Sequence, residues 1–339
     1  MPMAVVITSI QPPTAAVEAF ARLEGHALIV VGDRKSPPGW RCPGARYLSP
    51  AWQRRSPFTL ARRLPWNHYA RKNLGYLEAV RRGAHLIAES DDDNLPQPGW
   101  GFPPFAGRYA QAPAARGFVN IYGLFSRQCI WPRGFPLERL RHPEAALRAG
   151  ALAIADARVG VWQALANGDP DVDAIYRLTR GAPCTFRARP PVVLAAGTLA
   201  PFNSQNTAFR REAWPLLYLP AEVNFRVTDI LRSYVAQPIL WAAGLHLGFT
   251  AATVRQERNA HDLLADFASE IPLYLNARRI CEVAAAAVAT RRSVADNLWE
   301  AYAALVRHGL VPPAEMECLG AWLQDLAAAT PRPVNTETS

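Results

Sequence analysis

The run His85-Leu86-Ile87-Ala88-Glu89-Ser90-Asp91-Asp92-Asp93-Asn94 begins as a short apolar strand and ends in three consecutive aspartates. Adjacent carboxylates repel one another and stay ionised only when solvated or bound to a cation. Hard oxygen ligands of this kind suit Mg²⁺ or Mn²⁺, ions that join one or two carboxylates to a substrate's phosphates. An acidic turn closing a strand carries the same residues. Position favours the ligand reading if the strand lies in an open α/β sheet, where ligands sit at the carboxyl ends of the strands.

The flanking sequence supplies such a sheet. Upstream, a helix from about Asn67 to Arg82 ends at Gly83. Before it, Ala4 to Ile10 reads as a β-branched strand, Thr14 to Leu23 as a capped helix closed by Gly25, and Ala27 to Val31 as a second strand stopping at Gly32-Asp33. Strands alternating with helices predict an α/β fold with a mostly parallel sheet. Downstream, Leu95 to Gly117 is rich in Pro, Gly and aromatics and is expected to be a long loop. Short apolar segments follow at Phe118-Val119-Asn120, Val192-Val193-Leu194 and Ala252-Thr253-Val254, with a helix opened by Thr228-Asp229. From Asn259 almost to Ala329 the pattern is helical. The expected division is an α/β domain over 1–257, a helical appendage over 258–330 and a disordered tail over 331–339.

Composition narrows the function. Half of the 339 residues are apolar and 19% are charged, as in a packed globule. No apolar run reaches the ~18 residues of a membrane-spanning helix, and Met1-Pro2-Met3 does not open a signal peptide; a cytoplasmic protein is the expectation. The net charge of +9 comes from 37 basic and 28 acidic residues, and only Lys35 and Lys72 are lysines. That balance suits any polyanion, including an anionic membrane surface touched peripherally. The basic residues are spread along the chain without a helix-turn-helix or zinc spacing, so nucleic acid is not the expected partner. The five cysteines are far apart and read as free thiols. A homo-oligomer is compatible with the sequence.

Further constellations could serve the same site. Arg71-Lys72 lies on the helix before the acidic strand, and a forked guanidinium with a point-charge ammonium can neutralise a diphosphate. Asn167 to Arg177 reads as a helix end followed by a turn dense in carboxylates, Asp169, Asp171 and Asp173. Pro201-Phe202-Asn203-Ser204-Gln205-Asn206-Thr207 is a polar run, and Asp229 stands near a helix start. Each of the last three is equally compatible with ordinary turn or cap chemistry.

Taken in order, these segments resemble the STELLO family of glycosyltransferases and, more remotely, the reversibly glycosylated polypeptides, which include UDP-arabinopyranose mutases. The matching residues are Ile7-Thr8-Ser9 with Val31-Gly32-Asp33; Tyr69 to Tyr76; Asp91-Asp92; Trp131-Pro132-Arg133-Gly134-Phe135-Pro136-Leu137-Glu138; Asn167 to Arg177; Asn203-Ser204 with Asn206-Thr207; and Asp229 with Arg232. The likeness runs over roughly residues 3 to 275. It implies a glycosyltransferase A-type fold, a Rossmann-like mixed sheet flanked by helices, and a metal-dependent transfer of a sugar from a nucleoside-diphosphate donor, expected to be UDP-linked, to an unknown acceptor. By the same resemblance Thr8, Ser9 and Asp33 line the nucleoside pocket and Arg71 and Lys72 hold the diphosphate. The acidic motif plays the part of an Asp-x-Asp site for Mn²⁺ or Mg²⁺, with Asp91 and Asp93 as the ligands and Asp92 beside the donor. Relatives have a shorter acidic motif, which leaves open which two of the three aspartates coordinate.

Transfer of this kind builds negative charge on the leaving diphosphate, and an inverting enzyme adds a carboxylate base for the acceptor hydroxyl. Asp229 is the first candidate for that base, with Asp171 and Asp173 in reserve. Two alternatives stand beside the transferase. In one, Arg133 carries a sugar, as the arginine of self-glycosylating mutases does; in the other, the fold is a non-catalytic binding scaffold. His261 could complete a metal site or lie on a helix surface.

Overall fold

The computed structural model describes residues 3–181, 183–257 and 262–330. The first half contains β1 (Met3–Thr8), α1 (Ala15–Arg22), β2 (Ala27–Val31), β3 (Ala45–Leu48), α2 (Pro50–Arg55), α3 (Leu60–Arg63), α4 (Lys72–Arg81), β4 (Leu86–Asp91), β5 (Asn94–Pro96), β6 (Ala106–Ala112), β7 (Gly117–Phe118) and α5 (Ile121–Phe125). Then come β8 (Ala153–Gly168), α6 (Ala174–Thr179), β9 (Val192–Leu194), β10 (Thr198–Leu199), β11 (Asn206–Arg210), α7 (Thr228–Ala242) and β12 (His246–Gln256). Three helices close the chain: α8 (Leu263–Ala287), α9 (Val294–Arg307) and α10 (Glu315–Ala329).

One mixed sheet of ten strands runs in the order β3-β2-β1-β4-β11-β8-β6-β9-β12-β5. Its first four strands are parallel, as the alternating pattern predicts. Register then aligns their ends: Thr8 pairs with Val31 on one side and with Asp91 on the other, so all three strands finish at one edge. β11 turns the sheet antiparallel next to β4. This Rossmann-like half joined to a mixed half, with helices against it, is the architecture expected of a glycosyltransferase A-type fold.

Helix α4 lies close under β1 and β2 because Gly75 has no side chain; a Cβ there would fall 2.4 Å from Val6 Cγ1 and 2.8 Å from Val31 Cγ2. Thr14 caps α1 by accepting from the Val17 amide at 3.2 Å. The helix before the acidic strand begins one turn later than expected: Tyr69–Arg71 is a 3₁₀ turn, and α4 starts at Lys72.

Two expectations fail. The segment 95–117 is not a loop throughout, since β6 pairs antiparallel with β8 over Ala106 to Gln111. Asn167 does not end a helix; it ends β8, a strand of 16 residues buried almost continuously from Val159 to Ala166. Its Ala, Leu and Gln residues favour helix only weakly, and pairing with neighbours on both sides overrides them.

The C-terminal helices share the main core. Helix α8 packs on α6 and α7, α9 on α7, and α10 on α3 and α4. Trp322 of α10 is fully buried, edge-on to Tyr76 at 6.5 Å between centroids. Asp325 caps α3, accepting from the amides of Thr59 and Leu60 at 3.0 and 2.8 Å. Among the described residues no helix is long and apolar enough to cross a membrane. His261 and the tail at 331–339 lie outside the described residues.

Candidate active site

A cavity of about 460 Å³ opens where β1, β2 and β4 end. Thr8, Ser9 and Asp33 line it together with Arg71, Asp91, Asp92, Asp93, Arg133, Asp171 and Asp229. Of the residues given a role in catalysis, donor binding or metal binding, Lys72 and Asp173 do not reach its wall.

The acidic stretch divides its carboxylates by strand alternation and by the turn that follows. Glu89 faces the core, where Arg232 holds it at 2.5 and 3.1 Å and the Tyr76 hydroxyl donates to it. Asp91 keeps 29% of its side chain exposed at the cavity. Ser9 donates to Asp92 at 2.5 Å, and burial pushes the Asp92 carboxyl above the usual range against that hydrogen bond. Gln256, at the end of β12, donates to Asp93 at 3.0 Å. Three carboxylates thus share one wall, and burial makes one of them, Asp92, resist ionisation. Among the described residues no three His, Cys, Asp or Glu side chains form a ready-made metal cage.

Lys72 sits under this wall. Its fully buried ammonium reaches the Tyr69 hydroxyl and the Ser90 carbonyl at 2.7 Å, and Asp91 and the Ser204 carbonyl at 3.3 Å. Tyr69 in turn donates to Asp91 at 2.7 Å. Three protons facing four oxygens leave no donor for a ligand, so Lys72 braces Asp91 where contact with a diphosphate was expected.

Arg71 is different. Its Nε donates to Gln53 at 2.6 Å and its Nη1 to the Leu64 carbonyl at 2.9 Å, and the guanidinium stacks on Trp66 at 3.6 Å. Among the described residues Nη2 has no hydrogen-bond partner. Burial holds this guanidinium down to about 10, with Asp33 raising it and Arg34 lowering it. A buried cation short of an anion therefore borders the cavity.

The far wall is built on Arg133. Gly134, at φ +81°, turns the chain there, and a Cβ on it would lie 2.3 Å from Ile230 Cγ2. Arg133 donates Nε and Nη2 to Asp171 at 2.8 Å each, Nη2 to both oxygens of Asp229 at 3.0 Å, and Nη1 to the Arg226 carbonyl. Burial raises the Asp171 carboxyl, but the nearby charges of Arg133, Arg226 and Arg177 more than offset this and leave it below the usual range. Asp229 also accepts from Ser204 N and Oγ at 3.2 Å and from Ile230 N at 3.0 Å. Asp173 instead caps α6, accepting from Tyr176 N at 2.7 Å, and takes the Trp131 indole N–H at 2.7 Å. Burial pushes it up to about 6.

Several lining residues were not picked out as site residues in the sequence: Asn67, His68, Gln256, Arg226 and the half-exposed Phe225. Only Asn67 carries a local signal, a positive φ of 55° that asparagine tolerates better than most residues.

Comparison with known proteins finds similar sequences. Residues 226–331 match the family model described as STELLO glycosyltransferases. Two Arabidopsis thaliana proteins, STELLO1 and STELLO2, each named a probable glycosyltransferase, are both 26% identical to the chain. The alignments run over 353 and 351 residues, covering 96% and 95% of this chain and 44% of each relative. The chain therefore spans less than half the length of the curated relatives it matches, while the likeness extends past residue 275 into the C-terminal helices. The chain is thus similar to STELLO glycosyltransferases along nearly its whole length.

Proposed function

We propose that this protein is a glycosyltransferase that takes a sugar from a nucleoside-diphosphate donor, UDP-linked by expectation, and passes it to an acceptor hydroxyl with the help of a divalent cation. One observation carries the proposal: a single cavity at the strand ends is lined both by Asp91, Asp92 and Asp93 and by Arg71, a buried cation with an unpartnered donor. A diphosphate with its metal complements both at once. The residues fit the cation, since Mg²⁺ and Mn²⁺ bind through one or two carboxylates with substrate phosphates and water completing the shell. Asp91 and Asp93 are the proposed ligands. When bound, the ion would offset charge that develops on the leaving diphosphate.

The protein's own groups divide the remaining work. Arg71 takes an anionic oxygen of the diphosphate, and Lys72 with Tyr69 fixes the Asp91 rotamer from below. Thr8, Ser9 and Asp33 border the nucleoside end. Asp229 faces the acceptor end, and its lone pairs are shared among Arg133, Ser204 and Ile230. It can accept a proton only if Arg133 shifts toward Asp171. The same clamp argues against the mutase alternative, because Nε, Nη1 and Nη2 of Arg133 all donate to protein oxygens. Retention of both the carboxylate wall and Arg71 argues against a bare scaffold.

A thermal-shift panel of UDP-, GDP- and CDP-sugars, each with and without Mn²⁺, tests the proposal. A ligand at a hundred times its Kd adds about 2.7 kcal/mol to apparent stability. Stabilisation by one nucleotide class that depends on Mn²⁺ is expected. No response to any nucleotide overturns the assignment.

A further inference from the structure

The C-terminal helices reach the far wall of the cavity through two buried carboxylates. Glu270 of α8 is fully buried; Arg226 donates to its Oε1, while the Ala174 amide and the Tyr274 hydroxyl donate to its Oε2 at 2.8 and 2.7 Å. Ala174 opens α6 directly after Asp171 and Asp173, and Arg226 stands three residues before Asp229. The segments 171–174 and 226–229 are therefore tied twice, by Arg133 on the cavity side and by Glu270 behind. Glu315 of α10 is equally buried. It accepts from the Tyr218 hydroxyl, from Ala221 N at 3.1 Å and from Glu222 N at 2.7 Å. Phe225, 50% exposed at the cavity, follows three residues after that segment.

A helix that only covered apolar surface would do so more cheaply with Leu or Met, because burying a carboxylate is unfavourable unless its hydrogen bonds are met. Both glutamates instead accept from backbone amides and a tyrosine hydroxyl, Glu270 also from Arg226 of the cavity wall, and Glu315 from the segment that leads into that wall. We infer that α8 and α10 brace the wall that would receive the acceptor, with Glu270 and Glu315 as positioning residues. The proposed transferase function enters only in naming that wall.

Hydrogen–deuterium exchange on the full chain tests the brace, alongside UDP binding measured with Mn²⁺. In Glu270→Met, exchange should rise about tenfold in both 169–176 and 222–229, with β1 and β4 unchanged. Glu270→Gln keeps an acceptor for the Ala174 amide and leaves Arg226 only the more distant Asp266 carboxylate at 3.6 Å, so it should loosen 222–229 alone. Glu315→Gln should loosen 218–222 and leave 169–176 as it was. UDP affinity should stay within about twofold in all three variants. Exchange that rises evenly along the chain, or that is unchanged in these segments, overturns the brace. If the unaltered protein fails to bind UDP, the transferase assignment falls and the exchange pattern still decides the brace.

Discussion

Replacing Arg71 with Met removes a guanidinium whose cost and benefit fall on different states of the protein. In the empty protein its charge is unwelcome: a depression to about 10 corresponds to roughly 3 kcal/mol of disfavoured ionisation. Met restores apolar contact with Trp66 and escapes that cost, but it leaves the Gln53 side-chain oxygen and the Leu64 carbonyl without their donor, at about 1–3 kcal/mol each. The opposing effects partly cancel, so Arg71→Met should unfold in urea within about 3 kcal/mol of the parent. With a diphosphate bound, the balance changes. A charge-assisted hydrogen bond contributes about 1.5–3 kcal/mol, so UDP affinity in the presence of Mn²⁺ should fall about 10- to 150-fold. Calorimetry with UDP, uridine and pyrophosphate separates the contributions: UDP and pyrophosphate should weaken while uridine does not. A variant that binds UDP within about twofold of the parent, or that loses uridine to the same extent, refutes the assignment of Arg71 to the diphosphate.

Asp93→Ala should abolish the Mn²⁺-dependent part of nucleotide binding in calorimetry, and an unchanged Mn²⁺ response would move the second ligand to Asp92. Lys72→Met leaves the Ser90 and Ser204 carbonyls without the Lys72 donor and Asp91 with Tyr69 in place of both braces, so both stability and Mn²⁺-dependent binding should fall, the former by about 2–4 kcal/mol in urea unfolding. The Asp173 carboxyl, raised to about 6, binds its proton more tightly in the folded than in the unfolded chain. Its contribution is present below about pH 4 and is lost as pH rises to about 6, by at most about 3 kcal/mol. Urea unfolding of Asp173→Asn should lack this decline, whereas equal slopes in both proteins would place the titration elsewhere. Intact mass after incubation with UDP-sugars should show no added hexose or pentose on Arg133, and an adduct lost in Arg133→Ala would restore the mutase alternative.

The parallel half of the fold was legible because its signals are local. The alternation of Ala4–Ile10, Thr14–Leu23 and Ala27–Val31 needs only the window around each residue, and the acidic triplet marks the edge where those strands finish. The antiparallel half was not. β6, with Gly107 and Arg108 inside it, and β8, with Ala164, Leu165 and Gln163 at its most buried stretch, are strands because of what lies beside them in the sheet. Nothing within either segment records those neighbours. The far wall was hidden in the same way: Arg133, Asp171 and Asp229 each stood out, but they are separated by 38 and 96 residues from the arginine that joins them, and their contact is a product of packing.

The net charge of +9 pointed to a polyanion without saying where it would bind, and the buried arginines give a sharper criterion than the sum. Arg71, Arg133, Arg226 and Arg232 are all buried. Arg133 has Asp171 and Asp229, Arg226 has Glu270, and Arg232 has Glu89. Arg71 makes no ion pair with a carboxylate among the described residues; its partners are an amide, two carbonyls and the Trp66 ring. Burying a cation without a direct ion pair is costly, and the packing that tolerates it also holds the guanidinium at the cavity wall. An anion arriving there meets a donor already desolvated and fixed in orientation, so much of the reorganisation cost of binding has been met in folding. The exposed basic pairs Arg54-Arg55 and Arg62-Arg63 are solvated and lack that advantage. In the sequence, only its place on the helix before the acidic strand set Arg71-Lys72 apart from these other adjacent basic residues.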